Sequence, residues 1–483
     1  MIFSSFEFNK EEAIYIQIEN HIKDNIEKGI LQNGSKLPST RELSSILGVS
    51  RSTVVTAYEI LESEGKIKST KGKGTFVTSN KKVAEKSFNI DWESKVNGYA
   101  HTCEELDIIK TEIPWEKGMI SFKSIAPDES LFDLDEFKRA FLNAWSLEGE
   151  KLLNYGYARG YKALIEYLMK YMENKGVNTK GKEILITNGF TEGFDIVINS
   201  LTVPGDRILC ENPTHNTALK IMRARELDIV GVDMDEDGIN IDKLSEELRS
   251  NPPKLAYIIP SYHNPTGIVM KGERRKEVFE LFQKYSVPIV EDGFNEELLY
   301  SSSHVPPIAS LCSSGNGVIY IGSFSKILFP GLRIGWILAD KKLISTLESV
   351  KRTRNIHTSF LDQGIFYNYM ISDSFRRYVK KVRRHYREKY NFTLDKIKQY
   401  IPYEYIMGEG GLHIFVKLKG VNARRVLEEC YKKGVVFTAG DIFYTDNKGT
   451  ETLRIGFSRV SMEDIEKGIR IIGETIKEIL EDK

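Results

Sequence analysis

Apolar positions near the N-terminus recur at every fourth residue, Ile14, Ile18, Ile22 and Ile26, and this spacing predicts a helix with one apolar face that ends near Gly29. Ser39-Thr-Arg-Glu42 is a capping-box pattern opening a second helix through Leu47. Gly48-Val-Ser50 makes a turn, and Ser50 can cap a third helix running through Val54, Tyr58 and Leu61. The period then changes. Lys66-Ile-Lys-Ser-Thr70 and Thr75-Phe-Val-Thr78 read as two strands joined by Lys71-Gly-Lys-Gly74. Three helices and a ribbon in this order predict a winged helix-turn-helix over residues 1–79.

Beyond about residue 119 the pattern is different. Ile184-Leu-Ile-Thr187, Arg207-Ile-Leu-Cys-Glu211, Leu255-Ala-Tyr-Ile-Ile259, Val287-Pro-Ile-Val-Glu291 and Val318-Ile-Tyr-Ile-Gly322 are short apolar runs bounded by turn residues. Such runs predict buried strands of a mostly parallel α/β sheet. The expected large part spans about 119–343, and a smaller α+β part about 344–483. Residues 80–118 have few periodic apolar stretches and read as a linker, either partly ordered against the larger domain or a tether.

A chain of 483 residues exceeds one ordinary core, so two or three domains are expected. Cys103, Cys210, Cys312 and Cys430 lie far apart without a C-x-x-C pair, which suggests reduced thiols and a cytoplasmic location. The eight histidines show no metal spacing, and no apolar run reaches membrane-spanning length. Residues 1–80 contain ten Lys and Arg against ten Asp and Glu, so placement carries the signal. Arg41, Arg51, Lys71 and Lys73 stand at the second helix start, the third helix start and the wing, where a local basic face can meet phosphates.

The densest chemistry lies in Gly322-Ser-Phe-Ser-Lys326-Ile-Leu-Phe-Pro-Gly-Leu-Arg333. Lys326 can form a Schiff base with an aldehyde cofactor, Ser323 and Ser325 can bond phosphate oxygens, and Arg333 can pair two of them through its planar fork. Asp292 can serve as the anionic partner of a protonated pyridine nitrogen, and Asn264 of Asn264-Pro-Thr-Gly267 can donate to a phenolate oxygen. Asn188-Gly189-Phe190-Thr191 opens a helix whose free N–H groups suit a phosphate. Glu211-Asn-Pro-Thr-His215 would place an aromatic ring over the cofactor face. Singly, each of these is more often a turn or cap residue; their order on successive strand ends favours a site.

From about Ile120 onward the chain resembles the fold-type I pyridoxal-phosphate aminotransferases. Gly189-Phe190-Thr191, Asn264-Pro-Thr-Gly267, Asp292, Ser323-x-Ser325-Lys326, Arg333 and Arg454 carry the match. The resemblance implies pyridoxal 5'-phosphate as cofactor, Lys326 as the catalytic lysine and Arg454 as the substrate-carboxylate ligand. It further implies that Tyr155 reaches the phosphate of a neighbouring protomer in a homodimer. Two positions depart from the pattern: His215 stands where tyrosine is usual, and Phe294 replaces an expected hydroxyl, which predicts weak or vestigial transamination. His413 reads as a satisfied core histidine.

Residues 16–77 resemble the winged helix of GntR-type regulators, through Leu37-Pro-Ser-Thr-Arg-Glu-Leu43 and Gly48-Val-Ser-Arg-Ser-Thr-Val54. That match makes Arg41, Ser50, Arg51, Ser52 and Thr53 the expected phosphate and base contacts, with Lys71 and Gly72 at the minor groove. Joined in this order, the two modules resemble the MocR branch of that family. Two readings follow. One is a transcription regulator that binds operator DNA and senses an amine, an amino acid or the cofactor; the other is a working aminotransferase with an accessory DNA-binding module.

Overall fold

The structure is a computed structural model that describes residues 2–3, 6–78, 89–293, 296–300, 304–446 and 448–481. The chain divides into two compact units, Met1–Lys95 and Val96–Lys483.

In the first unit, helices Ile14–Glu27, Thr40–Leu47 and Arg51–Ser63 enclose a core of Ile18, Ile22, Leu43, Val54, Tyr58 and Leu61. The fourfold spacing holds for Ile18, Ile22 and Ile26, but Ile14 is 40% exposed because it opens the helix one turn outside this core. The capping box is formed: Glu42 N–H donates to Ser39 Oγ (3.2 Å), and Glu42 accepts from Ser39 N–H (3.4 Å). Gly48 ends the helix at φ +64°, a left-handed turn that glycine adopts without a Cβ penalty. Strands Ile67–Thr70 and Gly74–Val77 form the wing. A third strand, Lys36–Leu37, adds to it antiparallel through Lys36↔Phe76 and escaped the sequence reading because two residues show no alternation.

The second unit is built on an eight-stranded sheet in the order 182–187, 335–340, 318–323, 289–293, 255–258, 207–212, 228–235, 238–239. The five strands from 318–323 to 228–235 are mutually parallel, and strand Gly335–Asp340 is antiparallel to both of its neighbours. All five predicted strands are present. Helices on both faces bury it in two apolar layers, one holding Ile184, Ile258, Ile289 and Trp336, the other Leu185, Tyr257, Val290 and Ile337. This alternation from one residue to the next explains why the strands read as continuous apolar runs.

The expected small part requires correction at its start. Helices Lys341–Arg352 and Phe360–Met370 supply Ile344, Leu347, Phe366 and Tyr369 to the large sheet's layers. Helix Asp373–Tyr400 joins both cores, with Tyr378, Val382 and Tyr386 in the large one and Tyr390 and Ile397 in the small one. The small core surrounds a four-stranded antiparallel sheet, 403–407, 413–418, 452–456, 438–439, and also takes Phe122 from far upstream. Part of the expected linker is likewise built into this unit: helices Gly98–Glu105 and Ile108–Thr111 lie in it, and Ile113 and Met119 pack on the small core.

Candidate functional site

Lys326 follows strand Val318–Ser323 at its carboxyl end, where ligands of open α/β sheets collect. Ser323 Oγ donates to Ser325 Oγ (3.1 Å) and accepts from the Ser325 N–H (3.2 Å), which fixes the hydroxyl pair beside the lysine. Arg333 has a left-handed φ of +56° and donates from Nη2 to the Asn188 carbonyl (3.0 Å), at the start of helix Gly189–Leu201. A Cβ at Gly189 would stand 2.8 Å from Arg333 Nη2, so glycine is what lets the guanidinium lie against the helix start. No side chain caps this helix, which leaves its first N–H groups, at Gly189, Phe190 and Thr191, available to an anion. Ser323 Oγ also lies 3.3 Å from the carbonyl of Ile334, the residue after Arg333, so the hydroxyl pair, the guanidinium and this helix start are neighbours that could hold an anion.

Deeper in the site, Asp292 is buried in strand Ile289–Gly293 and accepts from Tyr257 Oη (2.8 Å). Burial, aided by Glu211, Glu296 and Glu291 and opposed by the tyrosine, pushes its carboxyl up to about 8. Such a carboxyl has a neutral donor but needs a cation to hold its negative charge at neutral pH. Asn264 is buried: its Oδ1 accepts from Arg454 Nη1 (2.8 Å), while its Nδ2 has no partner among the described residues. Arg454, in strand Thr452–Gly456, also donates to the Lys123 carbonyl (3.3 Å) and lies 4.8 Å from the Phe443 ring centre. Its Nε has no partner, and among the described residues no carboxylate pairs with it. Burial lowers it to about 10, and burial followed by Arg454, Arg333 and Arg459 lowers Lys326 to about 8.

His215 is half-buried, at the start of helix Asn216–Ala224, with its ring 5.6 Å from Phe190. Burial and then the neighbouring Lys326 and Arg454 depress it to about 3, so its imidazole is neutral. Tyr155 is 80% exposed and touches none of these groups; His357 is its ring neighbour at 6.2 Å. His413 is fully buried, with Nε2 3.3 Å from the His263 carbonyl, but its Nδ1 has no partner among the described residues, so the expected satisfied core histidine is satisfied at one nitrogen only. Phe294 lies outside the described residues.

Two contacts tie the upstream segment to this site. Arg424 forks onto Glu112 (2.9 and 3.2 Å) and also bonds Asp441, in the turn Gly440–Phe443 that ends with the ring over Arg454. Lys123, whose carbonyl accepts from Arg454, donates its own Nζ to the Ile113 carbonyl (2.7 Å). Glu112 and Ile113 are therefore held from both sides of the buried arginine.

In the first unit, Ser50 caps the third helix by accepting from Thr53 N–H (3.2 Å), and its hydroxyl also meets those of Ser52 and Thr53. Arg41, Ser50, Arg51 and Ser52 are exposed, and Arg51 Nε reaches Thr40 Oγ1 (3.4 Å). A groove of about 940 Å³ runs between this helix start and the wing, lined by Lys36, Thr40, Arg51, Lys71, Gly72 and Lys73. Among the described residues these cations form no ion pair, whereas Lys23 and Lys28 on the first helix do. The face is basic on balance: Glu42 also lines the groove, tied to Ser39 in the capping box, against the four cations Lys36, Arg51, Lys71 and Lys73.

Residues 124–472 match the family model of aminotransferase class I and II. The chain belongs to that family. Residues 14–77 of this aminotransferase-family chain match the model of the gntR family of bacterial regulatory proteins. It is 29% identical over 482 residues, 96% of each chain, to the uncharacterized HTH-type transcriptional regulator YdfD of Bacillus subtilis. It is 33% identical to aromatic-amino-acid aminotransferase 1 of Thermococcus litoralis, over 68% of this chain and 80% of that one. Among solved structures, LysN of Thermus thermophilus, an alpha-aminoadipate aminotransferase complexed with N-(5'-phosphopyridoxyl)-L-leucine, superposes with TM-score 0.74 at 28% identity, covering 82% of this chain and all of that one.

The present residues fit a phosphopyridoxyl group. The uncapped helix start with Arg333 suits its phosphate, the raised Asp292 carboxyl suits a protonated ring nitrogen, and the unpartnered Asn264 Nδ2 suits the phenolate oxygen. Sequence reasoning missed Tyr257 and Phe443. Tyr257 lies on the neighbouring strand, 35 residues from Asp292, and Phe443 precedes Arg454 in a turn without a motif; only strand pairing brings them in.

Proposed function

We propose that this chain is a transcription regulator that binds operator DNA through its winged helix and senses an amine, an amino acid or pyridoxal 5'-phosphate through its aminotransferase domain. One observation carries the reading: a groove of cations without ion pairs, between the start of the capped third helix and the wing, belongs to the same chain as a cofactor site whose buried arginine has no carboxylate among the described residues. When bound, pyridoxal phosphate supplies an aldehyde carbon and an electron sink. Ser323, Ser325, Arg333 and the Gly189–Thr191 backbone would hold the phosphate, and Asp292, kept in place by Tyr257, would hold the ring nitrogen. Lys326, near pKa 8, would be able to carry or accept a proton near neutral pH once the cofactor is held. Arg454 and Asn264 would orient an effector carboxylate and the cofactor oxygen.

The signal needs a route, and the ties at Glu112 and Ile113, within the second unit, are the proposed start of it. An effector that draws on Arg454 changes the load on Phe443 and Lys123, and both lead to the segment that continues toward the winged helix. Such a ligand shifts DNA affinity only by its differential affinity for the two states. The exposed Tyr155 supports a homodimer in which it serves the neighbouring protomer, with Leu142, Trp145 and Leu147 supplying exposed apolar surface on helix Leu134–Leu152. The proposed location is the cytoplasm.

Intact Lys326, Asp292 and Arg454 also favour a second reading, a working aminotransferase with an accessory DNA-binding module. Anisotropy of operator DNA with and without amino acids, alongside a turnover assay, separates the two. Effector-dependent DNA affinity supports the regulator; turnover with no specific DNA binding supports the enzyme.

A further inference from the structure

Between Ser374 and Arg387 the sequence has seven Lys and Arg and no Asp or Glu, although the whole chain balances 68 against 68. The helix Asp373–Tyr400 does not need those cations to hold its place, because Tyr378, Val382 and Tyr386 anchor its other face in the core. At about 100° per residue, Arg376, Lys380, Arg384 and Arg387 fall within roughly 80° of one another, in a row about 16 Å long. All four are exposed, and none has an ion pair or side-chain hydrogen bond among the described residues. They border a groove of about 900 Å³ whose other cations from this helix are already engaged, Arg377 by Ser374 Oγ, Lys381 by the Leu131 carbonyl and Arg383 by the Glu297 carbonyl.

Such a row is self-repelling. Arg376 with Lys380, and Lys380 with Arg384, are like-charged i,i+4 pairs, each of them unfavourable. A polyanion lying along the row would remove that repulsion and release counterions. Duplex DNA offers a phosphate every ~3.4 Å of each strand, so the row can face roughly five of them. We propose that this face is a second, sequence-independent contact for double-stranded DNA, separate from the winged helix. The inference rests on the regulator reading, which makes DNA the polyanion this chain meets.

The test uses the full-length chain loaded with pyridoxal phosphate and a duplex lacking the operator, titrated by fluorescence anisotropy between about 50 and 200 mM salt. In the variant Arg376→Gln, Lys380→Gln, Arg384→Gln, Arg387→Gln, the slope of log affinity against log salt is expected to become shallower by about 3 to 4, since each phosphate contact contributes about 0.9. Exchanging Arg and Lys at the same positions should restore the slope. The cofactor's visible absorbance reports folding. If the quadruple variant loses it, the pairs Arg376→Gln with Lys380→Gln and Arg384→Gln with Arg387→Gln are measured separately, each expected to take about half the change. An unmoved slope overturns the proposal, as does a loss confined to binding of anionic lipid vesicles. Should the unaltered chain bind no DNA at any salt, the regulator reading itself fails; specific operator binding that Arg51→Ala removes, with an unmoved slope in the quadruple variant, overturns this inference alone.

Discussion

At the scale of residues, the site is defined by groups whose bonding is unfinished. Asn264 Nδ2 and Arg454 Nε are buried without partners among the described residues, and burial, with Glu211, Glu296 and Glu291 adding to it, pushes Asp292 up to about 8. Lys326→Ala is expected to abolish the visible absorbance of lysine-bound cofactor, and a retained band would remove Lys326 from the chemistry. A lysine near pKa 8 is about one-tenth neutral at pH 7, against roughly one in 3000 for an unshifted one. Neutral amine is the reactive form, so capture of added pyridoxal phosphate should accelerate about ninefold from pH 6 to 7 and level off above about 9. A rate still climbing tenfold per unit at pH 9.5 would contradict the shift. Arg454→Ala should weaken amino-acid effectors by about 10- to 150-fold, the range for a charge-assisted bond of ~1.5–3 kcal/mol, while cofactor absorbance stays. An unchanged effector response would show that no carboxylate binds there.

At the scale of elements, legibility followed locality. The winged helix could be read from the chain because its signals are consecutive: the capping box at Ser39, the left-handed Gly48 and the Ser50 cap lie within a dozen residues. The five apolar strands and the lysine segment were legible for the same reason. What escaped depends on pairing across the fold: the Lys36–Leu37 strand, the Tyr257 bond to Asp292, and Phe122 closing a core built mostly from residues beyond 390. Ser50→Ala should cost the first unit about 1 kcal/mol of cap energy, seen as a lowered unfolding midpoint. Arg51→Ala should weaken specific DNA binding by about 1–3 kcal/mol with absorbance intact, and unchanged affinity would take Arg51 out of the interface. Replacing Glu112 and Arg424 by glutamine should leave effector affinity within about twofold and abolish the effector's influence on DNA; a preserved influence would rule out this route.

At the scale of the whole molecule, two units with different chemistry share one chain, and the reading requires that they be thermodynamically linked. Whatever factor the effector imposes on DNA affinity, DNA must impose on effector affinity. The central claim is most directly tested by fluorescence anisotropy of labelled DNA from upstream of this protein's own gene, titrated with the cofactor-loaded chain, with and without a panel of amino acids. The account predicts tight, salt-sensitive, sequence-specific binding whose affinity shifts with one amine or amino acid. Specific binding that no amine, amino acid or change in cofactor loading alters would contradict it.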